Sequence, residues 1–266
     1  MEEAWCVEQT WQHLAMAHWR VEPRVLMRHV PPGLELDRFD GHAYVSAVVF
    51  AVDPFRLRGL PPIRGMRRFW QLNIRTYVRR GEEPGVLFLR LETSRPWPAR
   101  LGKLAYALPF EPAGMAVLEE GDCLSVGVIS GAGAGPALSL GFRRAGSHMP
   151  WYEPAPHSLE AWLLNRYALF SHCLGTTLLT RLVHRPWRIQ PAEARVGQAR
   201  LLQIYGCNGE PIFACSAEAR TARIGMPRPA PVSTHSTDKL SLARWMRSSK
   251  ERTPARSSTI SSSLRS

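Results

Sequence analysis

Lysine is nearly missing from this chain. Among 34 lysines and arginines only Lys103, Lys239 and Lys250 are lysine, and the last two lie near the C-terminus. Chemistry that needs an amine nucleophile therefore has one candidate in the body of the protein, Lys103. Cysteine is sparse as well. Cys6, Cys123, Cys173, Cys207 and Cys215 form no Cys-x-x-Cys pair and no metal-ligand spacing, which argues against a disulfide framework and for reduced thiols in a cytoplasmic protein. No basic leader precedes an apolar run, and no stretch reaches the roughly 18 uncharged apolar residues of a membrane helix, so neither secretion nor membrane insertion is expected. His-Glu-x-x-His and Gly-x-Ser-x-Gly are absent, and His13 and His18, five apart, do not share a helix face. Gly131–Pro136 lacks the Lys-Ser/Thr of a phosphate loop and reads as a connection. Glu82-Glu83 and Glu119-Glu120 fall in turns, where solvated charge is their ordinary role. No metal and no cofactor is expected.

What the chain has is arginine. The formal charge is +12, and half of it sits in residues 227–266, where eight basic residues face Asp238 and Glu251 among eleven serines. That segment cannot bury enough apolar surface to offset its chain entropy and is expected to be a disordered tail. Residues 1–226 are expected to form one domain, since 45% hydrophobic content can fill a sizeable core. The body's remaining charge suits anionic ligands. Nucleic acid is expected only through the tail, and oligomerisation is left open.

Phe69–Arg90 organises the rest. Phe69–Val78 and Gly85–Arg90 read as two strands around Arg79–Pro84. Successive side chains in a strand point to opposite faces, so Trp70, Leu72, Ile74, Thr76 and Val78 share one face and Gln71, Asn73, Arg75 and Tyr77 the other. The second row is rich in donors. It is either a wall that binds an anion or carbonyl, or the solvated outside of a sheet.

Along the chain, Trp11–Val21 alternates loosely as a strand and Glu22-Pro23 opens a short helix stopped by Pro31-Pro32-Gly33. Leu34–Phe39 and His42–Val52 read as a hairpin about Asp40-Gly41, and Asp53–Met66 as a loop. Ser94–Tyr106 carries a short helical stripe. Ala116–Leu118, Cys123–Ser130 and Ala137–Phe142 are strand-like, Ser158 caps a helix over Leu159–Leu164, and Arg166–Phe170, Arg181–Gln190, Arg200–Tyr205 and Pro211–Ala217 are read as strands. Roughly ten short strands with two or three helices predict a mainly β (α+β) fold, a curled antiparallel sheet closing into a barrel.

Arg20 leading into Leu26–Leu36, then Phe39-Asp40-Gly41, Asn73–Val78, Gly85–Phe88, Ala99-Arg100, Leu108-Pro109-Phe110, Arg166-Tyr167 and His184–Trp187 together resemble the YqjF-like domain of unknown function, in the acetoacetate-decarboxylase-like superfamily. The resemblance covers about Trp11 to Ala219. It implies a curled antiparallel β-structure around a central cavity. Acetoacetate decarboxylases use a tandem lysine pair, one lysine forming a Schiff base. The similar stretch here is Pro98-Ala99-Arg100-Leu101-Gly102, with alanine and arginine at the pair's positions. Arg20 falls where those enzymes have a substrate-binding arginine.

The leading expectation is a cavity binding a small organic anion, a carboxylate or keto acid, without decarboxylase activity. Arg20, Arg75 and Arg100 are its candidate charge partners, Asn73 and Tyr77 its orienting groups, Tyr167 and His184 further wall residues. A second reading is a Schiff-base lyase or aldolase using Lys103, with Arg100 one helical turn away as the neighbouring cation. A third gives the basic tail nucleic-acid or anionic-surface binding.

Overall fold

A computed structural model describes residues 5–61, 68–130, 135–146 and 149–231. Among these the strands are β1 (Trp5–Val21), β2 (Glu35–Leu36), β3 (Ala43–Leu57), β4 (Phe69–Arg80), β5 (Glu83–Thr93), β6 (Phe110–Pro112), β7 (Gly114–Glu120), β8 (Cys123–Ile129), β9 (Leu138–Arg144), β10 (Ala168–Cys173), β11 (Thr176–Val183), β12 (Ile189–Val196), β13 (Phe213–Ala217), β14 (Arg220–Gly225) and β15 (Arg228–Pro229). Four short helices accompany them: α1 (Pro23–Met27), α2 (Pro96–Tyr106), α3 (Leu159–Leu164) and α4 (Arg200–Gln203). The protein is mainly β, as its turn and strand pattern predicts.

The strands form one curled sheet in the order β14-β11-β10-β5-β4-β3-β1-β13-β12-β9-β8-β7. The N-terminal half of β1 also pairs with β14, so the ladder running from β14 through β4 to β1 returns to its start. Most pairings are antiparallel. β5 is the exception, running parallel to both β10 and β6.

β3 is buried over Ala43–Val52 without a break, because both of its faces are covered. On one side Val48 and Phe50 join a cluster with Met16, Phe69 and Leu91. On the other, Val45, Ala47 and Val49 pack with Leu72 and Ile74 against Val126, Val128, Leu138 and Leu140, as β8 and β9 fold back over the outside of the curl. A near-continuous apolar run is what a strand buried on both faces requires. The row Trp70–Val78 is thus an internal layer, and the opposite row of β4 looks into the curl.

Several local expectations change. β2 is only two residues long and pairs with β4, not β3. The tight turn survives, with Asp40 and Gly41 both at positive φ between the bridged residues Phe39 and His42. β3 continues to Leu57 through the start of the expected loop. Arg181–Gln190 is interrupted, β11 ending at Val183 and β12 beginning at Ile189. Arg200–Tyr205 is not a strand: Leu201, Leu202 and Tyr205 bury one face of a helical turn, and six residues with apolar positions at that spacing suit either periodicity. Arg228–Pro229, placed in the tail by composition, pair with β11, and Ala230 is buried. Residues 232–266 and Gly131–Ala134 lie outside the described residues.

Candidate functional site

The inward row of β4 begins the site. Gln71, Asn73 and Arg75 line a pocket whose floor and sides come from Met16 of β1, Val48 and Phe50 of β3, and Val86, Phe88 and Leu91 of β5. Two irregularities let strands contribute side chains that strict alternation would turn away. β1 shifts register between Gln12 and Ala15, where His13 has a positive φ, so Trp11 and Leu14 both face inward. β5 carries an extra residue opposite Ile74 and Arg75, so Phe88 and Leu91 both do. A bulge of this kind re-aims the side chains that follow it.

Arg75 is half-buried. Its Nη2 donates to the Leu163 carbonyl at 3.3 Å, while its buried Nε has no partner. Among the described residues no carboxylate lies within ion-pair distance of it. Arg166, between α3 and β10, lines the same pocket. Its side chain is only 3% exposed, Nη1 pairs with Asp37 Oδ2 at 2.6 Å, and Nε donates to the Trp162 carbonyl at 2.7 Å. The guanidinium lies over Trp162 at 4.2 Å, and its remaining nitrogen, Nη2, is buried without a partner. Burial lowers the pKa of Arg166 from its ordinary value, against the raising effect of Asp37. A guanidinium is not deprotonated in a protein, so the charge remains.

His184 closes another side, packed between Trp187 at 4.6 Å and Trp11 at 5.9 Å. Its Nδ1–H donates to the Arg185 carbonyl at 2.7 Å, which leaves Nε2 as the acceptor of the neutral ring. Burial lowers its pKa, the backbone hydrogen bond opposes this, and Arg75 and Arg220 add to the lowering.

The sequence candidates separate into two groups. Asn73, Arg75 and His184 come together in the pocket wall. Tyr77 is fully buried beside it, its hydroxyl 2.6 Å from Ser46 Oγ, which is 2.6 Å from His18 Nδ1. Tyr167 is half-buried behind His184, with ring centroids 4.9 Å apart. Arg20 and Arg100 are exposed and absent from the lining: Arg20 is near the end of β1, paired with Tyr44 of β3 but past the last pairing with β13 at His18, and Arg100 is on the exposed side of α2. Lys103 is also exposed, paired with Glu111 at 2.8 Å. The described lining contains neither a lysine nor a carboxylate. Nor do the described residues hold a group of three or more His, Cys, Asp or Glu suited to a metal ion.

Arg166 is the residue that sequence reasoning missed as a site group. Its partner Asp37 is 129 positions away, so no local spacing marks the pair.

Comparison with known proteins fits this architecture. Residues 8–220 match DUF2071, described as an uncharacterized conserved protein. The chain belongs to this family. Uncharacterized protein YqjF of Bacillus subtilis (strain 168) is 30% identical over 202 residues, 76% of this chain and 82% of that protein. The family's fold is acetoacetate-decarboxylase-like here. The crystal structure of acetoacetate decarboxylase from Legionella pneumophila aligns with a TM-score of 0.61 and 13% identity, covering 86% of this chain and 88% of that one. The enduracididine biosynthesis enzyme MppR complexed with pyruvate aligns with a TM-score of 0.61 and 12% identity, covering 89% and 93%. At these identities the likeness is one of fold.

Among the described residues no helix is long and apolar enough to cross a membrane.

Proposed function

We propose that this DUF2071 protein binds a small organic anion inside the curled sheet, with Arg75 and Arg166 as its charge partners. One observation carries the reading: Arg75 Nε and Arg166 Nη2 are both buried N–H donors without a protein partner, on side chains that line one pocket. A buried donor left unsatisfied costs about 1–3 kcal/mol, more when charged, and a carboxylate removes that cost by accepting from both guanidinium groups. Asp37 neutralises one of the two cations, so the pocket keeps a positive charge.

Asn73 and Gln71 supply the amide edge of the wall, their mutual hydrogen bond of 2.6 Å fixing both orientations. His184 Nε2 adds an acceptor. The fold likeness to MppR, a protein whose structure holds the carboxylate pyruvate, supports the same class of ligand. With no lysine in the described lining, the reading is a binding pocket without Schiff-base decarboxylation.

Calorimetric titration of the full chain with a panel of monocarboxylates and 2-keto acids tests it. Arg75→Ala, at a half-buried position, is expected to weaken binding at least about tenfold, the scale for removing one partner of a desolvated charge pair. Unchanged affinity in a variant with native circular dichroism overturns the assignment.

A further inference from the structure

We propose that the preferred ligand is a carboxylate with an apolar tail, a medium-chain or aromatic acid, and not a short keto acid. This rests on the anion reading above and adds the other half of the molecule.

The charged groups of the lining lie at one end, and toward the other end the polar groups are neutral, the amides of Gln71 and Gln9 among them, Gln9 opposite Phe55 in register. Arg75 and Phe69 lie on the same face of β4, six residues apart, which is about 20 Å at about 3.3 Å per residue. Arg166 belongs to the Arg75 end: its partner Asp37 donates its backbone N–H to the Tyr77 carbonyl, two residues beyond Arg75. The Phe69 end is built differently. Phe69 and Phe55 pack edge-on against Trp97 at 5.2 and 5.0 Å, and α2 places Leu101 and Gly102 in the lining beside Phe110.

Part of the polar edge along the way is already engaged. Trp11 Nε1 donates to Gln9 Oε1 at 2.8 Å, Gln71 Nε2 to Asn73 Oδ1 at 2.6 Å, and the Tyr106 hydroxyl meets Cys6 Sγ at 3.0 Å. Among Phe69, Leu101 and Phe110 a water finds few partners, and an apolar space without partners holds water poorly.

Size agrees. The cavity has a volume of about 120 Å³. An apolar cavity of about 150 Å³ takes up benzene, so this one has room for a tail of about five or six non-hydrogen atoms. Acetate or pyruvate would satisfy the guanidinium groups and leave the aromatic end empty. Each methylene that enters the apolar end should tighten binding about fourfold, the equivalent of about 0.8 kcal/mol.

The test is a calorimetric series on the full chain: acetate, pyruvate, butanoate, hexanoate, benzoate and phenylacetate, with hexan-1-ol and benzyl alcohol as neutral counterparts. Affinity is expected to rise by about two orders of magnitude from acetate to hexanoate at about fourfold per methylene, with the alcohols at least tenfold weaker than the matching acids. If acetate and pyruvate bind as tightly as hexanoate and benzoate, and Arg75→Ala weakens them, the tail proposal falls while the anion reading stands. If the alcohols bind as tightly as the acids, or no acid binds, both fall.

Discussion

Arg75 and Arg166 enter one pocket from different elements, yet only Arg166 has a carboxylate, Asp37 Oδ2 at 2.6 Å. That asymmetry sets the charge of the site. Asp37 compensates the deeper guanidinium and allows it to be buried, while Arg75 remains available to a ligand. Two arginines without Asp37 would make the curl's interior too costly to fold around, since an uncompensated buried charge costs several kcal/mol.

Removing that compensation should be severe. Asp37→Ala leaves the Arg166 guanidinium buried beside Trp162 and is expected to lower stability by about 3–5 kcal/mol. The double variant Asp37→Ala/Arg166→Met should recover most of the loss. Urea unfolding checks both, and an Asp37→Ala loss below about 1 kcal/mol would place the pair in the weak, solvent-screened class.

Acid should destabilise the protein before its carboxylates titrate. His18 is fully buried, hydrogen-bonded to Ser46 and stacked on Phe213, and burial, with Arg75 second, lowers its pKa to about 3. The folded state therefore refuses a proton that the unfolded chain accepts at its ordinary value of about 6.5. Stability is full above that value and falls as pH drops from there towards 3. The total is on the order of 5 kcal/mol, at about 1.36 kcal/mol per unit. His184 shifts in the same direction. Unfolding free energies measured from pH 7.5 to 4 should show this slope, and His18→Gln should flatten it. An identical slope in the variant would remove His18 as its source.

Gly102 makes room for Phe110. A Cβ at that position would lie 2.1 Å from Phe110 Cδ2, an impossible contact, and Phe110 is a buried ring with little freedom to yield. Gly102→Ala is expected to cost about 1–3 kcal/mol through overpacking. A melting temperature within a degree of the parent protein would mean that α2 and β6 separate more easily than their packing implies.

Lys103 should be chemically quiet. It is exposed on α2 and paired with Glu111 at 2.8 Å, outside the pocket lining. Lys103→Met is expected to change stability by less than about 1 kcal/mol, as for other exposed ion pairs. Borohydride treatment with pyruvate should yield no adduct at this residue by mass spectrometry. A trapped adduct there would restore the lyase reading.

The sequence by itself determined the local grammar. Alternation in Phe69–Val78 marked the two faces of β4, and that strand with β5 forms the expected hairpin. Two prolines opened α2, and Ser158 caps α3, its Oγ accepting from the Ala161 N–H at 3.1 Å. These features depend on neighbours a few residues apart. The tertiary structure alone decided which arginines reach the interior. Arg20 and Arg100 have the same chemistry as Arg75 and Arg166, but position in the curl leaves the first two in solvent. It also decided the phase of β1 and β5, where one bulge reverses which side chains point inward. The Asp37–Arg166 pair spans 129 positions, a relation set by packing and by the cost of burying charge, and no local pattern encodes it.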